Sequence, residues 1–92
     1  MLTNNKAVFL DRDGVINKEV HHLHRKEDLE LIPGAGRGIR ELNETEYRVI
    51  VLTNQSVVAR GMCSEEEVRE IHDELKGMLK VEGARVDGIY YC

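Results

Sequence analysis

Asp11 and Asp13 stand one residue apart at the end of a short apolar run, Ala7-Val8-Phe9-Leu10, and Gly14 follows them. Two carboxylates so close repel each other unless a cation or a proton is shared, and magnesium is the natural cation for such an oxygen-rich spot. One carboxylate can attack phosphorus and form an aspartyl-phosphate, while a second of suitable pKa protonates the leaving oxygen and then activates water. Gly14 lets the backbone turn sharply and bring its amide toward a phosphate oxygen. Taken alone, Asp-x-Asp-Gly serves equally well as a polar turn after a strand. A calcium loop is excluded by spacing: its fifth, sixth and twelfth positions want an oxygen ligand, Gly and Glu, where Val15, Ile16 and His22 stand. A phospho-receiver domain needs an acceptor Asp at a later strand end, and that place holds Thr53 and Asn54.

Several elements must position these residues. The run Ala7 to Leu10 ends abruptly in charge, as a buried parallel strand opening into a loop does. From Asn17 to Leu31 the chain is polar and reads as a long surface excursion, with His21, His22 and His24 as loop surface and His72 on the flank of a helix. Adjacent histidines point apart in an extended segment, so these four make no metal site. After Pro33, the spacing of Ala35, Ile39 and Leu42 predicts an amphipathic helix from about 35 to 45. The near-continuous apolar stretch from Tyr47 to Thr53 predicts a strand covered on both faces. Ser64 and Glu67 form a capping box ahead of the stripe Val68, Ile71, Leu75, Met78 and Leu79, so a second helix runs from about 65 to 81 with Lys76 and Lys80 on its polar face. Val86 to Tyr91 then begins a third strand.

The order β, α, β, α, β implies a parallel sheet with right-handed crossovers, an α/β arrangement of three layers in its smallest form. Ligands of such sheets bind at the carboxyl ends of the strands. Both chemically unusual loops, Asp11 to Asn17 and Thr53 to Gly61, follow such ends and are expected to converge.

Composition narrows the partners. Thirteen Lys and Arg against seventeen Asp and Glu leave a net charge of -4, so neither nucleic acid nor an anionic membrane is expected to bind. A phosphate-bearing ligand must be captured by local donors or a metal. Cys63 and Cys92 are too few for a secreted disulfide scaffold, and no secretion signal is read ahead of the first strand, so a reducing cytoplasm is the expected location.

Asp11-Arg12-Asp13-Gly14-Val15-Ile16-Asn17 resembles the first motif of haloacid-dehalogenase-type (HAD) phosphatases, and Thr53-Asn54-Gln55-Ser56 with Ala59-Arg60-Gly61 is similar to the second-motif region of one subgroup. That subgroup comprises the D-glycero-D-manno-heptose 1,7-bisphosphate phosphatases and the related histidinol-phosphate phosphatases. Leu23-His24-Arg25, Ile32-Pro33-Gly34-Ala35 and Asp87-Gly88-Ile89-Tyr90-Tyr91-Cys92 extend the likeness over nearly the whole chain. The resemblance departs at His21, Glu46 and Val57, where the subgroup has Gly; a β-branched residue at 57 resists positive φ in the phosphate-side loop.

The resemblance implies a partial three-layer, Rossmann-like (HAD-like) fold, with residues 1–92 as the amino-terminal part of a single phosphatase domain. It implies Asp11 as nucleophile and magnesium ligand, and Asp13 as general acid/base that also offers its backbone carbonyl to the metal. Gly14, Thr53 and Asn54 would receive the phosphoryl oxygens. Arg60 either meets an outer phosphate or hydroxyl of the substrate or stays a solvated surface side chain. Cys92 matches the first ligand of a zinc loop whose other ligands would follow it, as would the catalytic Lys and further Asp residues of the family. The resemblance implies magnesium-dependent hydrolysis of a sugar bisphosphate, D-glycero-D-manno-heptose 1,7-bisphosphate by preference, with histidinol phosphate hydrolysis, a silent truncated chain or half of a split enzyme as alternatives. An open sheet edge along Ala7 to Leu10 is expected to favour self-association or a complementing chain.

Overall fold

The computed structural model describes residues 6–20, 23–54, 61 and 64–91. Strand β1 (Ala7–Asp11) pairs in parallel with β2 (Arg48–Thr53), in register from Ala7↔Arg48 to Asp11↔Leu52. On its other side β2 pairs in parallel with β3 (Gly88–Tyr91), from Ile50↔Gly88 to Thr53↔Tyr91, so the sheet order is β1-β2-β3 and β1 is an edge. Strand β3 starts two residues later than the apolar pattern from Val86 predicts. Asp87 instead anchors the entry to the strand, because its amide donates to the Val49 carbonyl at 2.8 Å and its carboxylate accepts the Val49 amide at 2.7 Å. Val49 thereby has both backbone polar groups satisfied just ahead of the ladder with β3.

Helix α1 (Ala35–Asn43) begins after Gly34, whose φ of 89° is left-handed and suits a residue without Cβ. It ends two residues short of the predicted limit, where Asn43 turns to the chain leading into β3. There its side chain donates to the Arg85 carbonyl at 2.9 Å and accepts the Arg85 amide at 2.8 Å. Helix α2 (Glu65–Val81) has the predicted bounds. Its capping box is complete: Ser64 Oγ accepts from the Glu67 amide at 3.0 Å and Glu67 Oε1 accepts from the Ser64 amide at 2.9 Å.

Alternation along the strands sorts the sheet into two unlike faces. Leu10, Val49, Val51 and Ile89 turn inward and pack with Ile39 of α1 and Ile71, Leu75 and Leu79 of α2 in one core cluster. Phe9, Ile50, Leu52 and Tyr90 project from the opposite face, with Phe9 and Tyr90 each 62% exposed and Leu52 42% exposed. The described residues therefore form two layers, not three, and β2 is covered on one face rather than both. The reason is topological: two right-handed crossovers that step the same way across a sheet lay both helices on the same side.

The excursion after β1 is also less superficial than its polarity suggests. Ile16, Leu23 and Leu29 are buried in the core cluster, the last beyond a 3-10 turn at Lys26–Asp28. The Lys18 amide donates to the Glu30 carbonyl at 2.8 Å and the Ile32 amide to the Ile16 carbonyl at 2.9 Å, closing the excursion onto its own stem. Its isolated apolar residues lack a helical or strand period, so their inward orientation has no periodic signal. His24 is exposed, as expected; His21 and His22 lie outside the described residues.

Candidate active site

Strands β1 and β2 both end at the same rim. Asp11, the last residue of β1, lines a cleft of about 300 Å³ with Leu52, Thr53 and Asn54 from the end of β2 and Tyr90 and Tyr91 from β3. A neighbouring hollow of about 150 Å³ shares Asp11, Leu52, Thr53 and Asn54 and adds Arg12 and Asp13. The predicted convergence of Asp11, Asp13, Thr53 and Asn54 is thus met, at the carboxyl ends where open α/β sheets bind ligands. Arg60, Val57 and Cys92 lie outside the described residues.

Asp13 is held from two sides. Arg12 Nε and Nη2 donate to Asp13 Oδ1 at 3.1 and 3.0 Å, Nη2 also reaches Oδ2 at 3.2 Å, and Asn17 Nδ2 donates to Oδ1 at 3.0 Å. Oδ1 therefore receives three donors and Oδ2 one, which leaves Oδ2 as the oxygen better placed to take or release a proton. Asn17 is fully buried and its Nδ2 also donates to the Lys18 carbonyl at 3.1 Å. Its Oδ1 is buried with no partner. Reversing the amide would aim that oxygen at the Asp13 carboxylate, so the orphan oxygen is the lesser cost.

Gly14 makes the turn expected of it, with φ of 82°, but its amide does not point to the cleft. It donates to the Asn17 carbonyl at 2.8 Å, and the amides of Val15, Ile16 and Asn17 all converge on the Arg12 carbonyl. Gly14 contributes a loop shape here rather than a phosphate donor, because closing this tight loop consumes its own N–H groups.

Arg12 and His72 are the two residues that sequence reasoning missed. Arg12 is only 2% exposed, and its Nη1 lies 3.0 Å from His72 Nε2 on α2. An arginine cannot accept, so His72 must be the acceptor, neutral and with its proton on Nδ1. Burial, then the charges of Arg12 and Lys76, lower the His72 pKa to about 4. The imidazole also lies against Tyr91, ring centroids 5.9 Å apart, so it touches the cleft wall as well. The placement of His72 on a helix flank is corrected: it continues the inward stripe, four residues after Val68 and three before Leu75, and that phase was its sequence signal. Arg12 has no such signal, since a charged residue between two carboxylates looks solvated. Lys76 and Lys80 are exposed, as predicted.

Among the described residues no three His, Cys, Asp or Glu side chains form a metal cage. Magnesium, however, usually takes one or two carboxylates and fills its shell with water and phosphate oxygens. Asp11 and the Asp13 main-chain carbonyl are donors of that type, while the Asp13 carboxylate is engaged by Arg12 and Asn17. The donor set fits an open magnesium site.

The parallel sheet and its two helices are similar to solved phosphatase structures. A Mesorhizobium loti structure described as HAD-like superposes with a TM-score of 0.90 at 32% identity, covering 95% of this chain and 42% of that one. Other relatives carry the name of a heptose phosphatase. The chain is 48% identical over 86 residues to a D-glycero-beta-D-manno-heptose-1,7-bisphosphate 7-phosphatase of Rhodopseudomonas palustris, 94% of this chain and 48% of the relative. The D,D-heptose 1,7-bisphosphate phosphatase of B. bronchiseptica, solved with magnesium and phosphate, superposes with a TM-score of 0.88 at 33% identity, covering 95% of this chain and 49% of that one. No family model matches the chain. The chain spans about half the length of the curated relatives it matches.

Proposed function

We propose that the chain carries the nucleophile half of a magnesium-dependent phosphatase that hydrolyses a sugar bisphosphate, D-glycero-D-manno-heptose 1,7-bisphosphate in preference to histidinol phosphate. The observation that carries this reading is the cleft in which Asp11 meets Thr53 and Asn54 beside the anchored Asp13. Asp11 Oδ attacks phosphorus, the bond from phosphorus to the leaving sugar oxygen breaks, and Asp13 Oδ2 gives that oxygen its proton. Water then attacks the aspartyl-phosphate, Asp13 Oδ2 takes the water's proton, and Asp11 is freed with release of phosphate. Thr53 and Asn54 orient the phosphoryl oxygens. Asp11 and the Asp13 main-chain carbonyl would hold magnesium, which would offset negative charge on the transferring group.

The names of the relatives support the heptose as substrate, and the relatives' greater length supports a single phosphatase domain of which residues 1–92 are the amino-terminal part. The remaining Lys and Asp of the family's site, and the zinc ligands that would join Cys92, would come from the rest of such a domain or from a complementing chain. A reducing cytoplasm suits the two widely spaced thiols. Among the described residues no helix is long and apolar enough to cross a membrane.

The test is phosphate release with magnesium from the heptose bisphosphate and from histidinol phosphate, using the chain alone and mixed with a polypeptide carrying the second half of the domain. Turnover that disappears in Asp11→Asn supports the covalent route, because the amide is not a nucleophile. Turnover that survives in that variant refutes it.

A further inference from the structure

The Arg12 guanidinium is pinned along two of its edges. Nε and Nη2 face the Asp13 carboxylate, and Nη1 faces His72 Nε2 at 3.0 Å, sixty residues away in sequence. A planar group fixed on two edges has little freedom to rotate, so the acceptor on α2 sets the orientation in which the other edge meets Asp13. The contact is almost free of water, since Arg12 is 2% and His72 6% exposed. In such a setting a charged donor without its acceptor is costly, which makes the pairing strongly preferred over alternatives. Tyr91 backs the same imidazole from β3, so the end of β1, the middle of α2 and the cleft wall meet at one ring.

We propose that His72 is a positioning residue for the reaction: by accepting from Arg12 it holds the guanidinium so that Asp13 Oδ1 is anchored and Oδ2 is left to move the proton. The role in proton transfer rests on the phosphatase reading above; the geometry of the clamp does not. His72 is not among the residues that line the two hollows with Asp11, and it acts through Arg12.

Two amide replacements separate this role from simple core filling. Gln at 72 can place its oxygen near the position of Nε2, whereas Asn ends one atom earlier, near Nδ1. The clamp is read by nitrogen NMR of the labelled 92-residue chain. The wild-type His72 ring is expected as the neutral tautomer with an unprotonated, accepting Nε2, and the Arg12 Nη protons as discrete, slowly exchanging signals. His72→Gln keeps those Arg12 signals and His72→Asn loses them. A protonated Nε2 in the wild-type ring overturns the proposal even if neither variant folds, and so do Arg12 signals unchanged in a folded His72→Asn chain. Turnover of the assembled enzyme adds a second readout: kcat falls about 10- to 100-fold in His72→Asn with KM little changed, and His72→Gln restores most of it. Loss of the Arg12 signals without a change in kcat overturns the positioning role. If the wild-type assembly hydrolyses no phosphomonoester while the Arg12 signals collapse in His72→Asn, the phosphatase reading fails and the clamp stands.

Discussion

Lowering the pH is expected to loosen this protein through a single buried imidazole. In the folded chain His72 is held down to about 4 from an ordinary 6.5, first by burial, then by the charges of Arg12 and Lys76, with Asp13 and Asp73 pulling weakly the other way. Between those two values the unfolded chain binds a proton that the folded chain refuses. The stability due to neutral His72 is therefore complete above about pH 6.5 and declines as the pH falls toward about 4. Integrating the proton difference from about pH 7.5 to about pH 5 yields about 2 kcal/mol, and discounting for a ring at the margin of the core leaves about 1–2 kcal/mol. Urea unfolding followed by far-ultraviolet circular dichroism at the two pH values measures this loss. Other groups contribute to the same difference, so the decisive quantity is the comparison with His72→Gln, which cannot titrate. Glu67, held below the usual carboxylate range by its hydrogen bonds with Ser64, titrates lower and is common to both proteins. A loss of stability in His72→Gln as large as that of the wild type across the window refutes the role given to the imidazole.

Replacing Asp13 by Asn is expected to slow phosphoryl transfer by about 10²–10⁴-fold in the assembled enzyme, measured as kcat, since the proton donor is removed while the anchor at position 13 is retained. Two glycines of α1 should respond in opposite directions in thermal melts. Gly38→Ala meets open space and should stabilise by about 0.5–1 kcal/mol, whereas a Cβ at Gly36 would lie 2.8 Å from Glu82 Cβ, so Gly36→Ala should destabilise. The exposed face bearing Phe9, Leu52 and Tyr90, next to a β1 edge that is unpaired among the described residues, should make the chain self-associate as concentration rises. Sedimentation equilibrium should show this, and Phe9→Lys should reduce it; a monomer at all concentrations counts against it. Magnesium should bind the 92-residue chain only weakly by calorimetry, because one carboxylate and a carbonyl are few protein ligands; a micromolar constant would mean a fuller site.

What the sequence determined by itself is local and periodic. The capping box and the stripe from Val68 to Leu79 specify α2 to both of its ends, because cap hydrogen bonds and side-chain phase both lie within a few residues of one another. The alternation of apolar segments with βαβ spacing determines parallel strands, and the rule of right-handed crossovers then places Asp11 and Thr53 at one rim. Tertiary structure alone decided which polar groups meet. Arg12 looks solvated in the sequence and becomes one of the most buried side chains, because its partners are an immediate neighbour, Asp13, and a histidine sixty positions away. The same holds for the Gly14 amide, spent on the Asn17 carbonyl rather than on a ligand, and for the uncovered sheet face that the near-continuous apolar run of β2 does not betray. Periodicity reports which way a side chain leans from its own backbone; it carries no information about what the rest of the chain brings to meet it.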